Sequence, residues 1–160
     1  MEEDTRMEIV NCSKADFDQI ITNINDFWGS DRTLHLHHPM LIYEFGNTAF
    51  VIKDGDTVCA YLFGFYSQTE PIAYTHLLSV RDNYRRQGLA RKLYEHFIEC
   101  ARKKHCSGIK AITKPINLES IAFHKSMGMK LIGKDTIDGI NVVRDHSGPG
   151  EHRVVFMKHI

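Results

Sequence analysis

A chain of 160 residues with 42% hydrophobic side chains can bury one ordinary core without disulfides, metals or an obligatory partner. Its 20 Lys and Arg balance 20 Asp and Glu, so no global field draws it to nucleic acid or to an anionic membrane. No stretch approaches the roughly 20 apolar residues of a membrane span, and the acidic start Met1-Glu2-Glu3-Asp4 is unlike a signal peptide. Cys12, Cys59, Cys100 and Cys106 form neither a C-x-x-C pair nor a disulfide framework, and read as reduced thiols of a cytoplasmic protein.

In chain order, residues 7–12 read as a first strand. Ser13 caps a helix over 14–25 that puts Phe17, Ile20, Ile21 and Ile24 on one face. The cluster His35-Leu36-His37-His38 invites a metal. Two of its histidines are adjacent and no carboxylate lies at helical spacing, so a polar loop before Pro39 is the expectation, with no metal. A short helix using Met40, Leu41, Tyr43 and Glu44 follows. Strands at 49–53 and 58–65 flank Asp54-Gly55-Asp56, a hairpin signal. Residues 73–80 form the next strand.

A helix over 89–104 buries Leu89, Leu93, Phe97 and Ala101, four apart, and Gly108 stops it. A strand at 109–113, a helix at 118–126 and a strand at 129–132 come next. Residues 135–151, with Gly139, Gly148, Pro149 and Gly150, read as a long functional loop before a closing strand at 154–159. There are no repeats and no linker, so one domain spans 1–160.

The most informative stretch is 80–91. It ends a strand, turns at Gly88 and enters the 89–104 helix, carrying Arg81, Arg85, Arg86 and Arg91 against Asp82 alone. Such a junction aims free backbone N–H groups and a positive helix end at one point, a ready site for a pyrophosphate. For the charge alone, a solvated helix start explains it equally well. Gly88 is the loop's only glycine, which excludes the dinucleotide G-x-G-x-x-G pattern, and the ending is not that of a P-loop.

The loop motif Arg85-x-x-Gly88-x-Ala90 is followed downstream by Asn117-Leu-Glu-Ser120-Ile-Ala-Phe123-His124-Lys-Ser-Met-Gly128-Met129. The first resembles the acyl-CoA pyrophosphate loop of the GNAT superfamily of N-acetyltransferases. The second resembles that family's Asn-x-x-Ala/Ser-x-x-x-Tyr-x-x-x-Gly-Phe at matching spacing. The resemblance covers about residues 50–132. It implies an α/β (α+β) acyl-CoA N-acyltransferase fold, with a twisted, mostly antiparallel sheet of six or seven strands and helices on both faces.

The resemblance also implies roles. The strand 73–80 would open from its parallel neighbour 109–113 to admit the pantetheine arm, with main-chain groups of Leu78, Ser79 and Val80 pairing with its amides. Arg85 opens the motif, and the N–H groups of Arg86, Gln87, Gly88, Leu89, Ala90 and Arg91 would hold the pyrophosphate of acetyl-CoA. Ala90 replaces the commoner second glycine. Asn117 and Ser120 begin the second motif. Asn117 would bond the cofactor and Phe123 would pack on it; a helix cap and simple core are the plain alternatives.

The amine must lose a proton before it attacks, since a lysine-like amine has a reference pKa near 10.4. His76 shares a strand face with Tyr74, Leu78 and Val80 and resembles the second of the paired strand histidines of arylalkylamine acetyltransferases. It is the candidate base, with a water as the alternative. His124 stands where the family carries its tyrosine proton donor, and a neutral imidazole still has one N–H to give.

The implied activity is transfer of an acetyl group to a primary amine of a small molecule by direct attack in a ternary complex. A protein lysine or N-terminal acetyltransferase is the first alternative, and a non-catalytic acyl-CoA-binding module the second. The acceptor would enter near Trp28, 35–45, 67–71 and 135–151, where Asp135, Asp138, Asp145 and Glu151 are nearly cancelled by Lys134, Arg144 and Arg153. The family often forms homodimers, so a homodimer is open too.

Overall fold

A computed structural model describes residues 7–160; the acidic Met1-Glu2-Glu3-Asp4 lies outside them. The elements are β1 (Ile9–Asn11), α1 (Lys14–Thr22), α2 (Ile24–Trp28), α3 (Met40–Tyr43), β2 (Ala49–Asp54), β3 (Thr57–Tyr66) and β4 (Ile72–Val80). They continue with α4 (Leu89–Lys103), β5 (Gly108–Thr113), α5 (Leu118–Ser126), β6 (Lys130–Ile132), β7 (Asp135–Ile137), β8 (Ile140–Val142) and β9 (Val154–His159). Seven strands form one sheet in the order β1-β2-β3-β4-β5-β9-β6, and β7 with β8 forms a second, two-stranded sheet. The ladder between β4 and β5 is parallel, whereas β1–β2, β2–β3, β5–β9 and β6–β9 are antiparallel. The chain clusters into two compact units, residues up to 65 with 76–99, and 66–75 with 100–160.

In the first unit α1 begins with a capping box. Ser13 Oγ accepts from the Asp16 N–H and an Asp16 carboxylate oxygen accepts from the Ser13 N–H, both at 3.1 Å. The helix expected over 14–25 is in fact two. It stops at Asn23, and α2 starts at Ile24 and ends on left-handed Gly29. Asn23 leaves helical geometry as the C-cap, with φ -105° and ψ 26°, and its Oδ1 accepts from the buried Arg81 guanidinium at 3.3 Å.

Neighbouring residues on β2 point to opposite faces. Val51 packs with Phe17, Ile20, Phe27, Leu41, Tyr61 and Phe63, while Phe50 meets Phe97 of α4 with ring centres 6.0 Å apart. Helices therefore cover both faces there, which is why β2 reads as an unbroken apolar run. Burying each such aromatic is worth about 1.5–3 kcal/mol.

The expected polar loop at 35–38 is not what forms. Residues 34–36 make a 3-10 turn, and His37 is buried at 7% exposure because two protein groups satisfy both ring nitrogens.

In the second unit β4 and β5 pair from Ile72 opposite Gly108 to Thr75 opposite Ala111, and β9 runs along the whole of β5. Ile109, Ala111, Ile121, Val154 and Phe156 form the buried side. At the corner expected to face an acceptor, Glu70 pairs with Lys110 at 3.0 Å.

The long loop expected at 135–151 is half hairpin. β7 and β8 pair around Asp138-Gly139, both with positive φ (50° and 78°), as a two-residue primed turn requires. The rest, 143–153, closes on itself through the Val143–Arg153 bridge and an Asp145 carboxylate that accepts the Gly150 N–H at 2.7 Å.

Candidate functional site

The turn before α4 is built by two left-handed residues. Arg86 has φ 63° and Gly88 has φ 76°; this conformation costs an L-residue about 1–2 kcal/mol and glycine nothing. The Gly88 carbonyl accepts from the Lys92 N–H at 3.0 Å and so starts the helix. The N–H groups of Leu89 and Ala90 fall in the first helical turn, which has no intrahelical acceptor for them. Those of Arg86, Gln87 and Gly88 make no backbone hydrogen bond among the described residues. A concave run of donors at a helix start suits an anion. A Cβ built on Gly88 would meet no atom within 4 Å, so the space in front of the loop is open.

Half of the arginines noted in this stretch, Arg81 and Arg85, are tied to the fold. Arg81 is buried, donates from Nε to the Val58 carbonyl at 2.8 Å, pairs with Asp26 at 2.8 Å and lies over the Phe27 ring at 4.7 Å. Arg85 donates to the Phe27 carbonyl at 3.1 Å and the Val80 carbonyl at 3.3 Å. Lys92 donates to the Met7 carbonyl. Exposed Arg86 has no such tie among the described residues. The side chains of Arg81 and Arg85 shape the loop, and the backbone supplies the donors.

Along β4 the exposure alternates: Thr75, Leu77 and Ser79 are buried, and Tyr74, His76, Leu78 and Val80 half-buried. Ser79 Oγ donates to the Phe27 carbonyl at 2.8 Å, so the buried face of β4 is anchored to the end of α2. His76 Nε2 lies 3.1 Å from the Leu36 carbonyl. A carbonyl only accepts, so Nε2 carries the hydrogen and Nδ1 the lone pair in the neutral ring. Nδ1 makes no hydrogen bond among the described residues. Burial lowers the pKa of His76 from its usual 6.5, with the Leu36 carbonyl working against it, so the ring is neutral and basic at pH 7.

The second motif folds as predicted into α5. Asn117 is its N-cap, Oδ1 accepting from the Ser120 N–H at 3.1 Å. Phe123 is half-buried beside His124. His124 is 6% exposed and stacks on Phe156 with ring centres 4.2 Å apart. Its Nδ1 donates to the Ser120 carbonyl at 2.7 Å, which uses the one hydrogen a neutral ring has. Burial also lowers its pKa, again opposed by that carbonyl. Elsewhere in the second unit an open cavity of about 360 Å³ is lined by Lys114, Ile116, Ile137, Asp138, Glu151 and Arg153, among others.

Each unit thus gathers its own share of the expected residues: His76, Leu78–Val80 and the 85–91 loop in one, Asn117, Ser120, Phe123 and His124 in the other. Sequence reasoning missed Tyr61. Its hydroxyl lies between the Trp28 indole and His37, at 2.6 and 2.7 Å. The available signal was a hydroxyl in the middle of an apolar strand, which must find partners when buried. Among the described residues no group of three or more His, Cys, Asp or Glu could hold a metal, and no helix is long and apolar enough to cross a membrane.

No curated protein matches the chain by sequence. Its fold is similar to that of the ribosomal-protein-S18-alanine N-acetyltransferase from Escherichia coli, with a TM-score of 0.68, 18% identity, and 96% of this chain and 93% of that one covered. It is similar to the ribosomal-protein-alanine N-acetyltransferase from Brucella melitensis, with a TM-score of 0.69, 19% identity, and 96% and 100% covered. It is also similar to an aminoglycoside 6'-N-acetyltransferase complexed with coenzyme A, with a TM-score of 0.66, 12% identity, and 96% and 97% covered. These likenesses concern the fold. The family assignment comes from the sequence itself, since residues 17–129, from α1 through the Gly88 loop to the end of the second motif, match the model of the Acetyltransferase (GNAT) family, and the chain belongs to that family.

Proposed function

We propose that the chain acts as one cytoplasmic N-acetyltransferase domain over residues 1–160, moving the acetyl group of acetyl-CoA to a primary amine of a small molecule. The observation that carries this is the run of N–H groups from Arg86 to Ala90 at the start of α4 that make no backbone hydrogen bond among the described residues. Those donors would hold the pyrophosphate, with the exposed Arg86 guanidinium beside them. The Asn117 side-chain amide, whose oxygen already caps α5, would offer its N–H to the donor's pantetheine arm.

His76 Nδ1 takes a proton from the acceptor ammonium or, through a water, from the amine as it attacks. The amine nitrogen forms its bond to the carbonyl carbon, and the carbon–sulfur bond breaks with its electron pair on sulfur. The sulfur needs no proton from His124, whose N–H is held by Ser120; a thiol of pKa about 8.5 is a fair leaving group unaided.

The test is calorimetric titration with acetyl-CoA and desulfo-CoA, followed by thiol release with a panel of small amines and short peptides. Micromolar binding with turnover of small amines is expected. Turnover confined to peptides moves the assignment to the protein-acetylating alternative, and binding without turnover to the acyl-CoA-binding module. No binding at all overturns it.

A further inference from the structure

One buried polar chain in the first unit has no part in the reaction just proposed. The Trp28 Nε1–H donates to Tyr61 Oη at 2.6 Å, Tyr61 Oη lies 2.7 Å from His37 Nε2, and His37 Nδ1 lies 2.8 Å from the Thr33 carbonyl. The chemistry of the ends places every proton. Trp28 can only donate and the Thr33 carbonyl can only accept, so His37 is protonated at Nδ1 and its Nε2 receives the Tyr61 hydrogen. Tyr61 is fully buried, and the Trp28, Tyr61 and Phe63 rings pack edge-on against His37 at 6.3, 5.8 and 6.5 Å.

A core needs none of this. Phe at 61 and Leu at 37 would fill the space with no polar group to satisfy, and an unpaired buried hydroxyl costs about 1–3 kcal/mol. What the chain does is local and directional. The Thr33 carbonyl accepts both the His37 ring and the Leu36 N–H at 2.9 Å, and the His37 N–H closes the same turn on the Leu34 carbonyl at 3.0 Å. The turn is thereby clamped with the Leu36 carbonyl toward the His76 ring.

We propose that Tyr61 and His37 are positioning residues, which hold the Leu36 carbonyl against His76 and so fix its neutral ring with hydrogen on Nε2 and the lone pair on Nδ1. The role of the pair in turnover rests on the assignment of His76 as base; the tautomer does not. The titratable neighbours of His37 are His35, Tyr61 and His76, and those of Tyr61 are His37 and Cys12. Losing the Leu36 carbonyl removes a partner of the protonated ring, so the acid limb of the pH–rate profile moves to lower pH.

The experiment pairs ¹⁵N NMR of the imidazoles with steady-state kinetics in Tyr61→Phe, which deletes one oxygen and keeps the ring. His37→Leu is the second variant, and His37→Asn, whose amide can still donate to Thr33, is the rescue. In the natural chain His76 should read as the Nε2–H tautomer. In Tyr61→Phe and His37→Leu the tautomers should mix, and kcat should fall by about tenfold to a hundredfold with KM for acetyl-CoA unchanged. The acid limb should move down in both, and His37→Asn should restore most of each signal.

An unchanged His76 tautomer in folded Tyr61→Phe and His37→Leu overturns the proposal, whatever the melting temperature does. If His76→Gln keeps full turnover, the base assignment falls, and the NMR signal alone still decides the positioning role.

Discussion

The turn before α4 and the helix α5 carry the two halves of the family signature, and they treat their polar groups in opposite ways. At the turn, backbone donors from Arg86 to Ala90 are left open while Arg81 is turned inward and the exposed Arg85 is tied to the Phe27 carbonyl. In α5 two of the motif's polar atoms are satisfied at home: Asn117 Oδ1 caps the helix and His124 Nδ1 donates to Ser120. A motif residue is thus no measure of a free functional group. Open donors point to a ligand, and closed ones hold the fold that presents it.

The most severe way to break this contrast is Gly88→Glu, which sets a carboxylate before the open donors. Like-charge contact costs several kcal/mol, so acetyl-CoA affinity by calorimetry should drop by about a hundredfold or more. Gly88→Ala has room around it and should chiefly lower stability, by about 1–2 kcal/mol for the left-handed backbone. Equal losses of affinity in both would mean that the loop shape, and not an anion, matters.

Next in size, His76→Gln should lower kcat by about a hundredfold with acetyl-CoA affinity retained. On the closed side, His124→Phe keeps the stack on Phe156 and removes only the ring nitrogens. Its kcat should fall by less than about tenfold, below the range of general acid catalysis; a thousandfold loss would show that the sulfur does take its proton there.

Arg86→Ala should weaken acetyl-CoA binding by about fivefold at low salt and less at high salt, as an exposed charge would. Arg85→Ala should instead lower the melting temperature, because it removes a donor from the Val80 carbonyl and one of two from the Phe27 carbonyl, which keeps Ser79.

The smallest effect is on pH and stability. His37, His76 and His124 all have lowered pKa values in the folded state. The unfolded chain therefore takes up protons first as pH falls below about 6.5, and stability present at neutral pH is lost toward pH 5. Thermal melts from pH 7.5 to 5 should show that decline, shallower in His124→Phe.

The strands, α4 and α5 were legible because their apolar spacing is local and strong: Leu89, Leu93 and Phe97 recur at helical spacing, and α5 was predicted at its observed bounds. The β7–β8 hairpin was not read, although its turn is a local signal. Asp138-Gly139 is a strong two-residue turn signal, and grouping Gly139 with Gly148 and Gly150 as loop hid it. The break at Asn23 had no local sign strong enough to end a helix, because the apolar spacing of Phe17, Ile20, Ile21 and Ile24 runs straight through it.

By itself, then, the sequence determined the family, most of the elements in their order and the place of the open turn before α4, because periodicity, turn chemistry and short motifs act between near neighbours. Only the tertiary structure decided which of those residues are free to act. Whether Arg85 faces a ligand or the Phe27 carbonyl, and whether His37 sits in a loop or under Tyr61, depends on groups far apart in the chain. Burial then makes each of their hydrogen bonds obligatory.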